Sequence, residues 1–297
     1  MTPLQKLRAT LPGPSRQVML TALAATCIAL VGAPSAMAGE PLNKADFAKF
    51  VNCPIAVAKL CQYGETTSGE IKLGSGKAVP ITKPTILQGG LAYGGLLTLP
   101  VIPPLFGAEE LSRAAQPVPG GLTGIEGLGG TVSATAELAG TIEVNAAALG
   151  EGLNQPAVTL PIKVHLENEL LGPNCYVGSN EEPIMLQLTT GTTSPPAGTE
   201  PISGFKGHQP GKDKGRLLTF LETSLVDNTF AVPAAKNCGT NGLLEPIVTA
   251  VVNLDEGLPA APGKSYAILN GNNFATASSW VEKYDKKLLK EKTHPKK

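Results

Sequence analysis

Histidine is scarce: His165, His208 and His294 are the only three in 297 residues. None has a second histidine four positions on, so the paired helical ligands of a zincin-type metal site are missing. His165 falls on the polar face of a strand, His208 in a polar connection and His294 in the tail. These placements suit surface roles better than that of a catalytic base. No serine carries glycines as Gly-x-Ser-x-Gly, which excludes the strained nucleophile turn of an α/β-hydrolase. The glycine-rich pieces are not followed by Lys-Ser/Thr, so a phosphate-cradling loop is excluded as well. With one tryptophan and five tyrosines, few aromatic platforms exist for stacking sugars. Asp255-Glu256, before Gly257, is an acidic pair of the kind that attracts calcium, but no Asp-rich loop of EF-hand spacing surrounds it. The expectation is a chain without metal or cofactor.

Positive charge is concentrated at the two ends. Residues 1–38 contain Lys6, Arg8 and Arg16 and no acid, and the last 17 residues hold seven lysines against three acids. Without residues 1–38 the balance of 24 basic and 24 acidic residues falls to −3; the body from Gly39 to Trp280 then carries −7. An acidic body lacks the clustered Lys and Arg that phosphate backbones require, which argues against nucleic acid as a partner.

The first 38 residues have the zones of a secretory signal peptide. The basic start is followed by an apolar stretch, Val18 to Val31, and by Ala36-Met37-Ala38, a small-x-small cleavage sequence. Cleavage after Ala38 would leave Gly39 as the first mature residue. The apolar stretch of 14 residues is short of the roughly 20 that span a bilayer. Cys27 lies inside it, but the flanking Thr26 and Ile28-Ala29-Leu30-Val31 fit a lipid-attachment sequence poorly. The expectation is an exported chain, secreted or envelope-associated, with no transmembrane segment after cleavage.

Four cysteines then remain: Cys53, Cys61, Cys175 and Cys238. An even number in an exported protein implies two disulfides, with three pairings to choose from. Cys53–Cys61 closes a small loop around Pro54, and Cys175–Cys238 ties together two distant loops; this pairing is favoured. These spacings lack the close cysteine or histidine pairs of a zinc site.

Glycine and proline number 34 and 26, yet 42% of residues are hydrophobic. That mixture reads as many short strands joined by turns. From Val158 to Leu166 every second residue is apolar, the period of a strand with one buried face. Ile184, Leu186 and Leu188 repeat the pattern after a turn-rich loop holding Cys175, so the two stretches read as an antiparallel pair. Thr131–Asn145 alternates too, and the small Ala134 and Ala136 on its buried face would admit a closely packed second sheet. Glu70–Leu73 and Ala78–Ile81 form a hairpin across Gly74-Ser75-Gly76. Leu217–Leu221, Leu225–Ala231 and Ile247–Leu254 are further strands. Short helical turns are expected at Leu42–Phe50 and Ala56–Tyr63, a helix at Phe274–Leu289, and a mobile surface connection at Thr190–Gly215. The fold class is mainly β: an antiparallel β-sandwich or barrel-like domain over 39–280, as one unit or two sub-domains. A helix end and basic tail follow over 281–297.

Several landmarks recur together: Asn52-Cys53-Pro54 with Cys61, Leu73-Gly74-Ser75 with Val79-Pro80-Ile81, and Leu87-Gln88-Gly89-Gly90-Leu91. Others are Pro117-Val118-Pro119-Gly120-Gly121-Leu122, Gly172-Pro173-Asn174-Cys175-Tyr176-Val177-Gly178-Ser179 and Leu188-Thr189-Thr190-Gly191. This set resembles a functionally uncharacterised family of secreted, β-rich proteins of high-GC Gram-positive bacteria. The resemblance implies location and architecture, and supplies no catalytic residue.

Leu91 to Phe106 is apolar for 16 residues without a charge, and its prolines and glycines stop it from forming a spanning helix. Tyr93, Leu96, Leu97, Ile102 and Phe106 are therefore the expected contacts for an apolar ligand, a lipid or envelope component, or a partner surface. The alternatives are an extracellular hydrolase using carboxylates, with Glu181, Glu182 and Asp227 as candidates, and a structural coat protein that forms homo-oligomers.

Overall fold

A computed structural model describes residues 44–92, 98–121, 130–210, 216–240 and 242–283. In chain order it begins with helix α1 (Lys44–Ala48) and strands β1 (Leu60–Lys72), β2 (Val79–Pro80) and β3 (Thr85–Leu91). Strands β4 (Thr98–Pro100), β5 (Gln116–Val118), β6 (Val132–Leu138) and β7 (Glu143–Asn145) lead to helix α2 (Ala146–Glu151). Then come β8 (Val158–Glu167), β9 (Tyr176–Val177), β10 (Ile184–Leu188), β11 (Leu217–Asp227) and β12 (Ala235–Lys236). Helix α3 (Glu245–Glu256), β13 (Tyr266–Ala277) and a helix α4 over 278–283 complete the described chain.

The fold is mainly β; the described residues form two antiparallel sheets and no closed barrel. In the first sheet β13 lies between β11 and β1, and β1 carries β3 and β2 along its other edge. The second is built on β8, with β6 and β7 on one side and β10 and β9 on the other. The expected antiparallel pair is present, from Ile184 opposite Ile162 to Leu188 opposite Val158. Single bridges, Gly90 to Ile102 and Thr189 to Val226, join edges of the two sheets. By its contacts, Pro41–Lys297 forms one compact unit. Among the described residues no helix is long and apolar enough to cross a membrane.

Several local expectations change. Ile247–Leu254 is helical, although Val248, Ala250, Val252 and Leu254 alternate as a strand would. Pro246 occupies the first turn, where its missing N–H costs nothing, and Gly257 ends the helix in the left-handed conformation (φ 62°). Val252 faces inward, while Ile247, Val251 and Leu254 are exposed. The helix expected from Phe274 begins only at residue 278; Phe274 to Ala277 belong to β13, held between β1 and β11. Residues 284–289 lie outside the described chain. Ala56–Tyr63 is helical in neither half, because a turn at 55–57 gives way to β1 at Leu60.

As far as Pro210 the connection after Thr190 is strapped down by bridges and hydrogen bonds; residues 211–215 of the expected mobile stretch lie outside the described residues. Thr192 bridges Ser203, Phe205 bridges Ser224 and His208 bridges Leu221. Thr190 and Thr193 are buried, their hydroxyls donating to the carbonyls of Ala148 (2.9 Å) and Ile202 (3.2 Å). Backbone donors and acceptors that polar composition alone would leave to water are thus satisfied by protein.

Candidate functional site: a cavity between the sheets

Strand β1 sets the site. Its even-numbered residues Leu60, Gln62, Gly64 and Thr66 face the second sheet and line a cavity of about 220 Å³. Gln62 sits between Ala275 of β13, which continues the wall, and Gly89 of β3, which packs on Val101 and Ile102; Gly64 sits between the wall residues Leu87 and Asn273. Leu218 lies beside Ala275 and Phe220 beside Asn273. The opposite wall is aliphatic, with Val158, Leu160, Ile162 and Val164 of β8 flanked by Leu186 and Leu188 of β10. Ala134 and Ala136 of β6 complete it.

The small residues explain the space. Ala134 and Ala136 were expected to let the sheets approach; instead they line, with Gly64 and Ala275, a volume that no side chain fills. A tightly packed interior would show few voids larger than a water molecule. Among the described residues no Asp, Glu, Lys, Arg or His lines this cavity. Of its polar residues, Gln116 is fully engaged: its Oε1 accepts from Thr82 N (2.8 Å) and Lys83 N (3.0 Å), and its Nε2 donates to Lys83 O (2.8 Å). Asn273 Nδ2 donates to Thr223 Oγ1 (2.8 Å). Gln62 Nε2 is different, being shielded from solvent without any partner. Tyr63 adjoins the cavity, but its ring packs on the outer face of the sheet with Phe274, 6.4 Å between centroids.

A smaller cavity of about 60 Å³ shares Leu73, Val79, Ala134 and Val164 with the first and extends to Val252, Asp255 and Glu256 of α3. Burial first, and then the charge of Asp255, push the Glu256 pKa above its ordinary value. Among the described residues no group of three or more His, Cys, Asp or Glu is arranged to hold a metal, at Asp255-Glu256 or elsewhere.

Both disulfides join the expected cysteines. Cys53–Cys61 has its Cα atoms 5.7 Å apart and pins the segment after α1 to the start of β1. Cys175–Cys238, at 4.1 Å, ties the loop before β9 to the chain entering α3. There Cys238 N donates to Thr249 Oγ1 (3.0 Å), fastening α3 to the same bridge.

The apolar stretch from Leu91 divides. Leu91 lines the cavity, Leu99 and Val101 are buried, and Ile102 is half-buried beside the disulfide Cys53–Cys61. Phe106 is 86% exposed, with a left-handed backbone (φ 61°). Tyr93, Leu96 and Leu97 lie outside the described residues.

The carboxylate candidates have separate local duties. Glu181 is exposed, its pKa lowered by hydrogen bonds to its own N–H and to Ser179. Glu182 pairs with Lys236 at 3.0 Å on the surface. Asp227 is fully buried; its Oδ2 accepts from Gln187 N (2.6 Å) and its Oδ1 from Thr229 N and Oγ1 (2.7 Å each). Burial pushes its pKa up, and those hydrogen bonds only partly offset the shift. The carboxylate fastens β10 to β11. His165 stacks on Tyr176 (centroids 4.5 Å apart) and donates from Nε2 to Pro173 O (3.0 Å), a structural role.

No known family, curated protein or solved structure compared with this chain matches it.

Proposed function

We propose that this protein is a secreted or envelope-associated, non-catalytic carrier that holds an apolar ligand between its two sheets. The observation behind this reading is the uncharged cavity of about 220 Å³ walled by both inner faces. An apolar void of about 150 Å³ is already enough to stay dry and take up benzene. Unfilled apolar volume also forfeits dispersion contacts that a ligand would restore. Export is supported by the cleavable-looking N-terminus and by two disulfides, which persist in oxidising compartments. This reading places the ligand between the sheets; of the apolar stretch the sequence singled out, Leu91 contributes to the wall and Phe106 is exposed.

The test is native and then denaturing mass spectrometry on protein secreted by its own host. The expected result is a chain beginning at Gly39, with both disulfides closed, carrying an extra mass that is lost on denaturation. Phe106→Asp should leave that mass in place. A bare protein that also fails to take up a fluorescent apolar probe after organic extraction would overturn the reading.

A further inference from the structure

We infer that the cavity selects a neutral ligand bearing an acceptor oxygen, and that Gln62 is the residue that reads it; this rests on the carrier reading above. The position of Gln62 explains why its amide is unserved. Its neighbours across the sheet are Gly89 and Ala275, which have no side-chain acceptor to offer. The facing wall of β8 and β10 presents only aliphatic side chains. Gln116 and Asn273, the other amides on the wall, are already committed to Lys83 and Thr223. Gln62 Nε2 is thus a donor shielded from water, and a buried donor without an acceptor is a marked liability. A carbonyl or ether oxygen within the bound chain would satisfy it.

The charge of the ligand follows from the same wall. Among the described residues no Lys, Arg or His lines the cavity, so a carboxylate drawn inside would lose its hydration and find no cation there. An ester or ketone meets both conditions, whereas a plain hydrocarbon meets only the second and an ionised fatty acid only the first.

Three probes separate these classes: methyl decanoate, undecane and decanoate, each competed against an apolar fluorophore on the extracted, disulfide-intact protein. The expected order places the ester about tenfold tighter than the alkane, the worth of one net hydrogen bond, and the carboxylate weakest. In Gln62→Leu the ester and alkane should become equal while the alkane still binds. Gln62→Met, nearer in shape, serves the same comparison if the leucine variant does not fold. Equal binding of ester and alkane to the wild type would overturn the role of Gln62 and leave the carrier reading standing. A preference that survives both substitutions would overturn it too, and decanoate binding as tightly as the ester would overturn the neutral class. Binding of none of the three would count against the carrier reading itself.

Discussion

The two faces of strand β1 meet opposite fates. Outward, Cys61 packs in a closed cluster with Phe50, Cys53, Ala58, Leu217 and Val281, and Lys49 Nζ caps the rings of Tyr63 (5.2 Å) and Phe274 (4.9 Å). Inward, one residue along, Gln62 and Gly64 look into open volume. The same backbone therefore supports a filled cluster sealed by a disulfide and an interior kept open by small residues. The difference teaches that burial alone does not distinguish core from site. What distinguishes them is whether the side chains on the opposing wall are large enough to meet.

Truncation should give the largest contrast. Phe50, 2% exposed, sits in the filled cluster, and Phe50→Ala should lower stability by about 3–5 kcal/mol, read from chemical denaturation with the disulfides intact. A loss below about 1 kcal/mol would mean that the outer cluster is as loose as the cavity.

Enlargement sharpens the comparison next. Ala58→Leu places extra methyl groups in the closed cluster and should cost about 1–3 kcal/mol. The same change at Ala136 enters the open volume and should stay within about 0.5 kcal/mol of the wild type. Equal costs at the two alanines would erase the distinction.

A smaller effect is expected from the buried carboxyl outside the cavity. Because the Asp227 pKa is raised by burial above its ordinary 3.8, the folded state holds this proton more tightly than the unfolded chain. Stability should therefore fall as pH rises from about 3.8 through the raised folded value. Asp227→Asn should remove that part of the decline. Ligand affinity, set by an uncharged wall, should stay flat over the same range for a neutral probe. A titrating affinity would point to a charged group within reach of the cavity.

Much of the frame was legible in the residues. The strict alternation of Val158–Leu166 and Ile184–Leu188 carried the central pair of the second sheet, and the cysteine count with spacing carried both bridges. Two elements misled for physical reasons. Val248 to Leu254 satisfies a period of two by coincidence, and the proline and glycine that bound the helix were the better signal. Tyr266–Ala277 hides a strand because Asn270-Gly271-Asn272-Asn273 reads as a turn. Within the sheet those amides are engaged: Asn272 Oδ1 accepts from Glu222 N (3.1 Å) and Asn273 donates to Thr223. The cavity was invisible for a related reason. Ala134 and Ala136 suit either close packing or empty space, and only the residues across the cavity from them, Gly64 and Ala275, decide which. Those partners are far away in sequence and carry no pattern of their own.

The most direct test is saturation of the extracted protein with an apolar fluorescent probe, wild type beside Ala136→Leu, with stability measured on the same samples. The account predicts one saturable site in the wild type and at least about tenfold weaker binding in the variant, at unchanged stability. Equal affinity in the two proteins would place the probe elsewhere and contradict a ligand site between the sheets.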